Sequence, residues 1–239
     1  MEIYRDAPNR GPDDLDIVLR VIERRRESLD CESLFFERPR GLEFEPGDWV
    51  DIRFLAPELA VGRTFSFSSA PTEPDLRITF KRGLSPFKRR LHQVEPGESL
   101  LITQYGSNGF RLNRRSPAVF VAGGIGIAPF RSMIKNVIDD GAGPRITLVQ
   151  TSRTDDAPFR QELLGWSGNL PGLDVHHVVT ARDGRLTVGA LTQLLSDRTI
   201  ADASFYAAGP PAMVAATEKL LARLGVRPKA IMTDRFTGY

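Results

Sequence analysis

Up to about Asn113 the chain runs in short stretches of alternating or apolar residues, separated by turn-forming residues. Leu76-Arg77-Ile78-Thr79-Phe80-Lys81 is the plainest case: its apolar positions recur every second residue, the period of a half-buried strand. Leu15 to Arg24, Ser33 to Glu37, Trp49 to Leu55 and Leu100 to Gln104 read as further strands, the last following the turn Glu95-Pro96-Gly97-Glu98. Many short strands with Gly/Pro turns predict a small antiparallel barrel. One short helix interrupts it, with Ser85 as cap, Pro86 in its first position and Phe87 to His92 continuing. After Asn113 the pattern changes. Ala118 to Ala122 is a continuous apolar run that leads into Gly123-Gly124-Ile125-Gly126 and a helix from about Pro129 to Ile138. Apolar runs at Arg145 to Thr151, Val175 to Thr180, Ser204 to Ala208 and Ile231 to Thr233 then alternate with helical stretches near Phe159 to Leu164, Val188 to Leu195 and Pro211 to Leu224. Such alternation predicts a parallel sheet with helices on both faces. The fold class is therefore β + α/β: an antiparallel β-barrel over residues 1–113, then a Rossmann-like parallel-sheet domain over 114–239, joined at Leu112 to Pro117.

Composition narrows the function classes. With 239 residues, 41% hydrophobic and 26% charged, the chain has material for two small cores and is not a disordered polymer. No apolar run reaches bilayer length, and Met1 to Asp14 is polar without an apolar signal core, which predicts a cytoplasmic protein. Cys31 is the one cysteine, so a four-thiolate iron–sulfur cluster or thiolate zinc site within the chain is excluded. His92, His176 and His177 show no metal-ligand spacing, and no metal is expected. A net charge of +2 does not argue for nucleic acid. Lys81, Arg82, Lys88, Arg89 and Arg90 do cluster, as do Arg111, Arg114 and Arg115. This reads equally as a solvated face or as a surface for phosphates or an acidic protein.

Three segments carry candidate chemistry. Val121 to Pro129 joins a buried strand to a helix through glycines, which permit close approach of a ligand to the backbone. The helix N-terminus behind them offers free N–H groups and partial positive charge, suited to a pyrophosphate. The spacing is not G-x-G-x-x-G, and a tight turn also asks for glycine; the position at the opening of the parallel-sheet half favours a ligand. Tyr206-Ala207-Ala208-Gly209-Pro210-Pro211 ends another strand and by itself is a plain strand–helix connection. Arg63-Thr64-Phe65-Ser66-Phe67-Ser68-Ser69 sets a cation, a ring and hydroxyls in one strand. That suits a phosphate and a flat polar heterocycle, or else a serine-rich strand with a core Phe.

Taken together and in this order, the motifs resemble those of the ferredoxin–NADP reductase family over nearly the full length. The resemblance implies a flavin-binding barrel followed by an NAD(P)-binding domain. Arg63, Phe65 and Ser66 match the family's Arg-x-Tyr/Phe-Ser. By that match Arg63 holds flavin phosphate, Phe65 packs on the isoalloxazine and Ser66 hydrogen-bonds near its N5, with Thr64 and Lys81 also at the cofactor. Gly83-Leu84-Ser85 is one residue shorter than the family's Gly-x-x-Ser/Thr, whose backbone faces the flavin phosphates. Gly123, Gly124, Gly126 and Pro129 match Gly-Gly-x-Gly-x-x-Pro for the nucleotide. Gly209 and Pro210 match the Cys-Gly-Pro loop for nicotinamide, with Ala208 in place of the cysteine. The family's Gly-Pro-Tyr/Phe-Gly segment is altered to Gln104 to Phe110. Ser152 and Arg153 stand where NADP-preferring relatives bind the 2′-phosphate. Plant-type members end in an aromatic ring over the flavin, a role for Tyr239 or Phe236, with Asp234 as the nearby carboxylate.

The resemblance thus implies hydride transfer from NADPH (NADH being the alternative) to bound FAD (FMN being the alternative). Electrons then pass singly to an acidic acceptor protein such as a ferredoxin, flavodoxin or oxygenase component. Ser66, Asp234 and Tyr239 take the catalytic positions. Two other readings stay open: a reductase of free flavin, oxygen or small acceptors, and a non-catalytic nucleotide-binding subunit, which Ala208 keeps in view.

Overall fold

A computed structural model describes residues 16–59 and 61–237. The first half is a six-stranded antiparallel sheet of β1 (Ile17–Arg26), β2 (Cys31–Phe36), β3 (Trp49–Arg53), β4 (Arg63–Ser66), β5 (Leu76–Lys81) and β6 (Ser99–Gly106). The strand order is β4-β3-β6-β1-β2-β5. Just past β4 the chain meets the far edge of the sheet: Phe67 bridges to Ile78, and the Ser68 N–H donates to the Arg77 carbonyl at 2.8 Å. This contact closes the sheet into a barrel and removes its open edges. Alternate residues such as Leu19, Leu34, Ile52, Ile78 and Ile102 fill the interior. The helix α1 (Pro86–Leu91) plugs one mouth with Phe87 and Leu91, and Ser85 Oγ accepts the Lys88 N–H at its start. Cys31 is buried in β2, and that burial pushes its thiol pKa up to about 12, so it is a core residue rather than a reactive thiol.

One strand departs from its pattern. The alternation in β5 predicts a polar face open to water, yet Arg77 and Thr79 are buried. Thr79 Oγ1 is hydrogen-bonded to the Ser33 and Ser68 hydroxyls, 2.8 Å from each. The Arg77 guanidinium lies 4.5 Å from the ring centroid of Phe159, which belongs to the second half of the chain. The second half therefore covers this face, and each buried polar group has its partner there.

That half is a five-stranded parallel sheet of β7 (Ala118–Gly123), β8 (Ile146–Ser152), β9 (Leu173–Val179), β10 (Ser204–Gly209) and β11 (Ile231–Arg235), in the order β11-β10-β7-β8-β9. Its helices are α2 (Ile127–Asp140), α3 (Arg160–Asn169), the single turn α4 (Thr180–Asp183), α5 (Val188–Leu194), α6 (Asp197–Asp202) and α7 (Pro211–Arg223). Phe120 and Ala122 of β7 pack with Phe130 and Ile134 of α2 and Leu163 of α3. Val119 points the other way, to Leu191 of α5 and Leu221 of α7. The uninterrupted apolar run of β7 is thus the signature of a strand covered on both faces. α2 starts at Ile127, earlier than the pattern suggests, because Pro129 sits in the first turn, where no N–H has an intrahelical partner. Phe110 already packs in this second core, its ring centroid 5.6 Å from that of Phe130. Among the described residues no helix is long and apolar enough to cross a membrane.

The chain leaves β7 towards β8 on one side and returns through β10 on the other. The carboxyl ends of β7 and β10 are therefore a topological switch point, where a parallel sheet opens a crevice.

Candidate cofactor cleft between the two domains

A cleft of about 380 Å³ lies between the barrel and that crevice. Its barrel wall is β4 and the end of β5, with Trp49 of β3 and Lys88 of α1. Ser66 is buried at the base, and Phe65, half-buried, stacks on Phe87 with centroids 6.4 Å apart. The Thr64 hydroxyl donates to Asp51, which fixes the strand's rim. Arg63 is exposed, its guanidinium 5.7 Å from the Phe87 centroid. Lys81 pairs with Asp30 at 2.9 Å and faces the same space. So does Lys88, from the first turns of α1. Burial, and then the charges of Lys81 and Arg63, push the Lys88 ammonium below its usual range. Lys81, Lys88 and Arg63 thus share one rim of the cleft. Gly83 leaves room for the stem of Lys88: a Cβ there would lie 2.4 Å from Lys88 Cδ. Leu84 points into solvent, 87% exposed, and Ser85 is engaged as the helix cap.

The opposite wall is made by two loops that touch. A Cβ on Gly126 would lie 2.2 Å from the Ala208 carbonyl oxygen, and one on Gly209 would lie 2.7 Å from the Gly123 carbonyl oxygen. These glycines are required by the close approach of the two loops rather than by a ligand. Gly124 is different: its φ is +53° and nothing lies within 4 Å of a Cβ built on it, so the left-handed backbone rather than a close neighbour asks for glycine there. Neither α2 nor α7, which begins behind Pro210, has a side-chain cap; the 3-10 turn Gly124–Gly126 takes up the Ile127 N–H, and the Pro210 carbonyl accepts from the Met213 and Val214 N–H groups at 2.9 and 3.0 Å. The third side is the end of β11. Asp234 lies beside Ala208 in register, and its burial pushes the carboxyl pKa up to about 6. The Phe236 N–H donates to the Gly209 carbonyl at 2.9 Å, which brings Phe236 to the cleft.

Residues 120–219 match the oxidoreductase NAD-binding domain family. The ferredoxin–NAD(P)(+) reductase component of the naphthalene 1,2-dioxygenase/salicylate 5-hydroxylase systems of a Ralstonia species is 28% identical over 216 residues, covering 87% of this chain and 65% of that protein. Ferredoxin–NADP reductase B of Sorangium cellulosum is 34% identical over 153 residues, covering 60% and 62%. The flavohem-like FAD/NAD-binding domain of nitric oxide dioxygenase from Vibrio cholerae superposes with a TM-score of 0.79 at 23% identity, covering 93% of this chain and 99% of that one. The chain shares the two-domain fold of that FAD/NAD-binding domain. It spans 65% and 62% of the length of the two reductases it matches.

Set against the reductase family pattern, the structure gathers Arg63, Thr64, Phe65, Ser66, Lys81 and Asp234 around one cleft, with Ile125 of the glycine turn on its far side. Ser152 and Arg153 lie at the end of β8, on the far side of β7 from β10. Arg153 is exposed, and its side chain makes no ion pair or hydrogen bond among the described residues. The Ser152 hydroxyl is engaged: it donates to the Thr154 carbonyl and lies 2.6 Å from His177 Nε2. Tyr239 lies outside the described residues. Trp49, Lys88 and Asn108 are among the cleft residues that escaped the sequence reading as cofactor contacts. Lys88 was visible only as one charge in a basic run, and Trp49 had the pattern of an ordinary strand aromatic. Asn108 lies in the altered segment before the joint, where no motif marks it.

Proposed function

We propose that this chain is a cytoplasmic flavin-dependent reductase that takes hydride from NADPH onto FAD and passes electrons singly to a separate acceptor protein. The observation that carries the reading is the cleft itself. The ring of Phe65 with Arg63, Lys81 and Lys88 beside it faces Ile125 of the glycine turn and Ala128 of α2 across one crevice, with Asp234 and Phe236 at its end. When bound, the flavin supplies hydride acceptance and one-electron release; the protein supplies orientation and electrostatics. Arg63, Lys81 and Lys88 hold the flavin phosphates, with the Gly83–Ser85 backbone beside them. Phe65 sets the plane of the ring, and Ser66 offers its hydroxyl to a ring nitrogen. Gly123, Gly124 and Gly126 with the first turn of α2 take the nucleotide pyrophosphate. Gly209 and Pro210 bound the nicotinamide position. Phe236, or Tyr239, shields the ring from water. Asp234, ionised above about pH 6, places a carboxylate at the end of the crevice. Arg153 offers a cation to the 2′-phosphate, the basis for NADPH over NADH, beside Ser152, whose hydroxyl is held by Thr154 and His177.

The acceptor is an acidic protein of the ferredoxin or flavodoxin kind, or an oxygenase component. Support comes from relatives that are reductase components of dioxygenase systems. The basic run from Lys81 to Arg90 beside the cleft is complementary to such a partner. The test is an anaerobic absorbance titration of the flavin-loaded protein with NADPH and then NADH. Stoichiometric bleaching of the flavin band, faster with NADPH and losing that preference in Arg153→Ser, is the expected result. Bound flavin that neither nucleotide bleaches, or a protein that binds no flavin, overturns the proposal.

A further inference from the structure

The seam between the two domains runs through one side chain on the helix that starts at the nucleotide turn. Arg131 of α2 is only 2% exposed. Its Nη1 donates to the Ser68 carbonyl and to Glu73 Oε2, both at 2.7 Å. Its Nη2 donates to Glu73 Oε1 at 2.9 Å and Glu162 Oε1 at 2.6 Å, and its Nε donates to Glu162 Oε2 at 2.8 Å. A guanidinium has five N–H donors in a fixed fork, and here every one has a partner. The next residue repeats the contact: Ser132 Oγ donates to the Ser69 carbonyl at 2.7 Å. Arg77 of β5 backs the cluster, ion-paired to Glu27 and donating to Ser33 Oγ at 3.1 Å.

The location gives these bonds their meaning. Ser68 and Ser69 directly follow the strand that carries Phe65 and Ser66. Arg131 and Ser132 sit one turn beyond Ala128, which lines the cleft, and Gly126. The segment leaving the flavin wall is thus held, at two consecutive carbonyls, by the helix whose first turn forms the nucleotide wall. Domain interfaces within one chain commonly allow relative motion. A buried guanidinium with every donor satisfied across the seam resists it, because any shift strands a charged group away from water.

We propose that Arg131 and Ser132 are positioning residues that set the separation of the two cofactors, so that the geometry of hydride transfer is built into this seam. The proposal rests on the reductase reading. A misplacement of about 1 Å in reacting geometry costs on the order of 100-fold in rate without touching either binding site. The prediction is therefore a split between chemistry and binding.

The test uses the full chain loaded with FAD. Arg131→Lys keeps a positive charge but cannot form the double fork; Ser132→Ala removes a single bond. Flavin content, NADP+ affinity by difference spectrum and the rate constant of anaerobic flavin reduction are measured for each. For Arg131→Lys we expect full flavin content, NADP+ affinity within about twofold of wild type, and reduction slowed about 10- to 100-fold. Ser132→Ala should shift in the same direction by a few-fold. A purely structural role would lower flavin content and melting temperature together and leave the reduction rate of the loaded fraction unchanged; that result overturns the proposal. If Arg131→Lys does not fold, an unchanged reduction rate in Ser132→Ala overturns it equally. A wild-type flavin that no nucleotide reduces fails the reductase reading itself, a result read before either variant is made.

Discussion

Lys88→Met is the sharpest perturbation of the cofactor cleft, because it should move the two states of the protein in opposite directions. Methionine keeps an unbranched apolar stem against Phe87 and the Gly83 loop while removing the charge. In the stripped protein burial first, then Lys81 and Arg63, hold its pKa below the usual lysine range. For such a base the unfolded chain binds more protons than the native one between the lowered value and 10.5, so the stability of the empty protein rises with pH through that window. The variant should lose this rise and be no less stable than wild type at neutral pH. With flavin bound, the same ammonium becomes a charge-assisted donor to phosphate, a contact of about 1.5–3 kcal/mol. Losing it should weaken flavin affinity by about 10- to 100-fold. The assay is fluorescence titration of the stripped protein with FAD, beside urea unfolding of the stripped protein at neutral pH and near pH 10. An unchanged FAD affinity, or a stripped variant destabilised as much as the loaded one, would refute the reading of Arg63, Lys81 and Lys88 as a phosphate site.

Other substitutions separate the walls of the cleft. The Asp234 carboxyl titrates near 6 in the folded protein against 3.8 when free, so the native state binds the extra proton between those values and stability falls as pH rises through them. Asp234→Asn should therefore gain stability over wild type above pH 6, with the gain shrinking as pH falls towards 3.8; a constant difference across urea titrations at several pH values would contradict this. Gly126→Ala puts a methyl 2.2 Å from a backbone oxygen that cannot step aside, and should cost about 1–3 kcal/mol in unfolding experiments. Gly124→Ala meets no protein atom within 4 Å, so beyond about 1–2 kcal/mol of backbone strain its effect should fall on the nucleotide KM.

Local order was written in the chain. β5 runs over Leu76–Lys81 as the alternation indicates, and α1 starts at Pro86 behind its Ser85 cap. β7 ends in the glycine turn where its apolar run stops. These features depend on backbone preference and on apolar spacing over a few residues, which are legible without partners. Arg63, Phe65 and Ser66 were legible as one group for the same reason, since they lie close together along the chain, and they line one cleft. The short α4 and α6 were not visible, since neither is long enough to display a helical period.

Only the tertiary structure decided what each polar residue does. Arg131 has the sequence context of a helix surface position, yet it is buried because Glu73, 58 residues away, and Glu162, 31 residues away, meet its guanidinium. Gly126 has to be glycine because the carbonyl of Ala208 presses on it from another strand. Lys88 became a cleft residue when α1 brought it beside Arg63 and Lys81. Ser152 keeps its hydroxyl within its own loop and near His177 of the neighbouring strand. A polar group is buried or exposed, paired or left for a ligand, according to partners that folding brings from distant segments. Hydrophobic spacing records which way a residue faces, and the packed fold supplies what it faces.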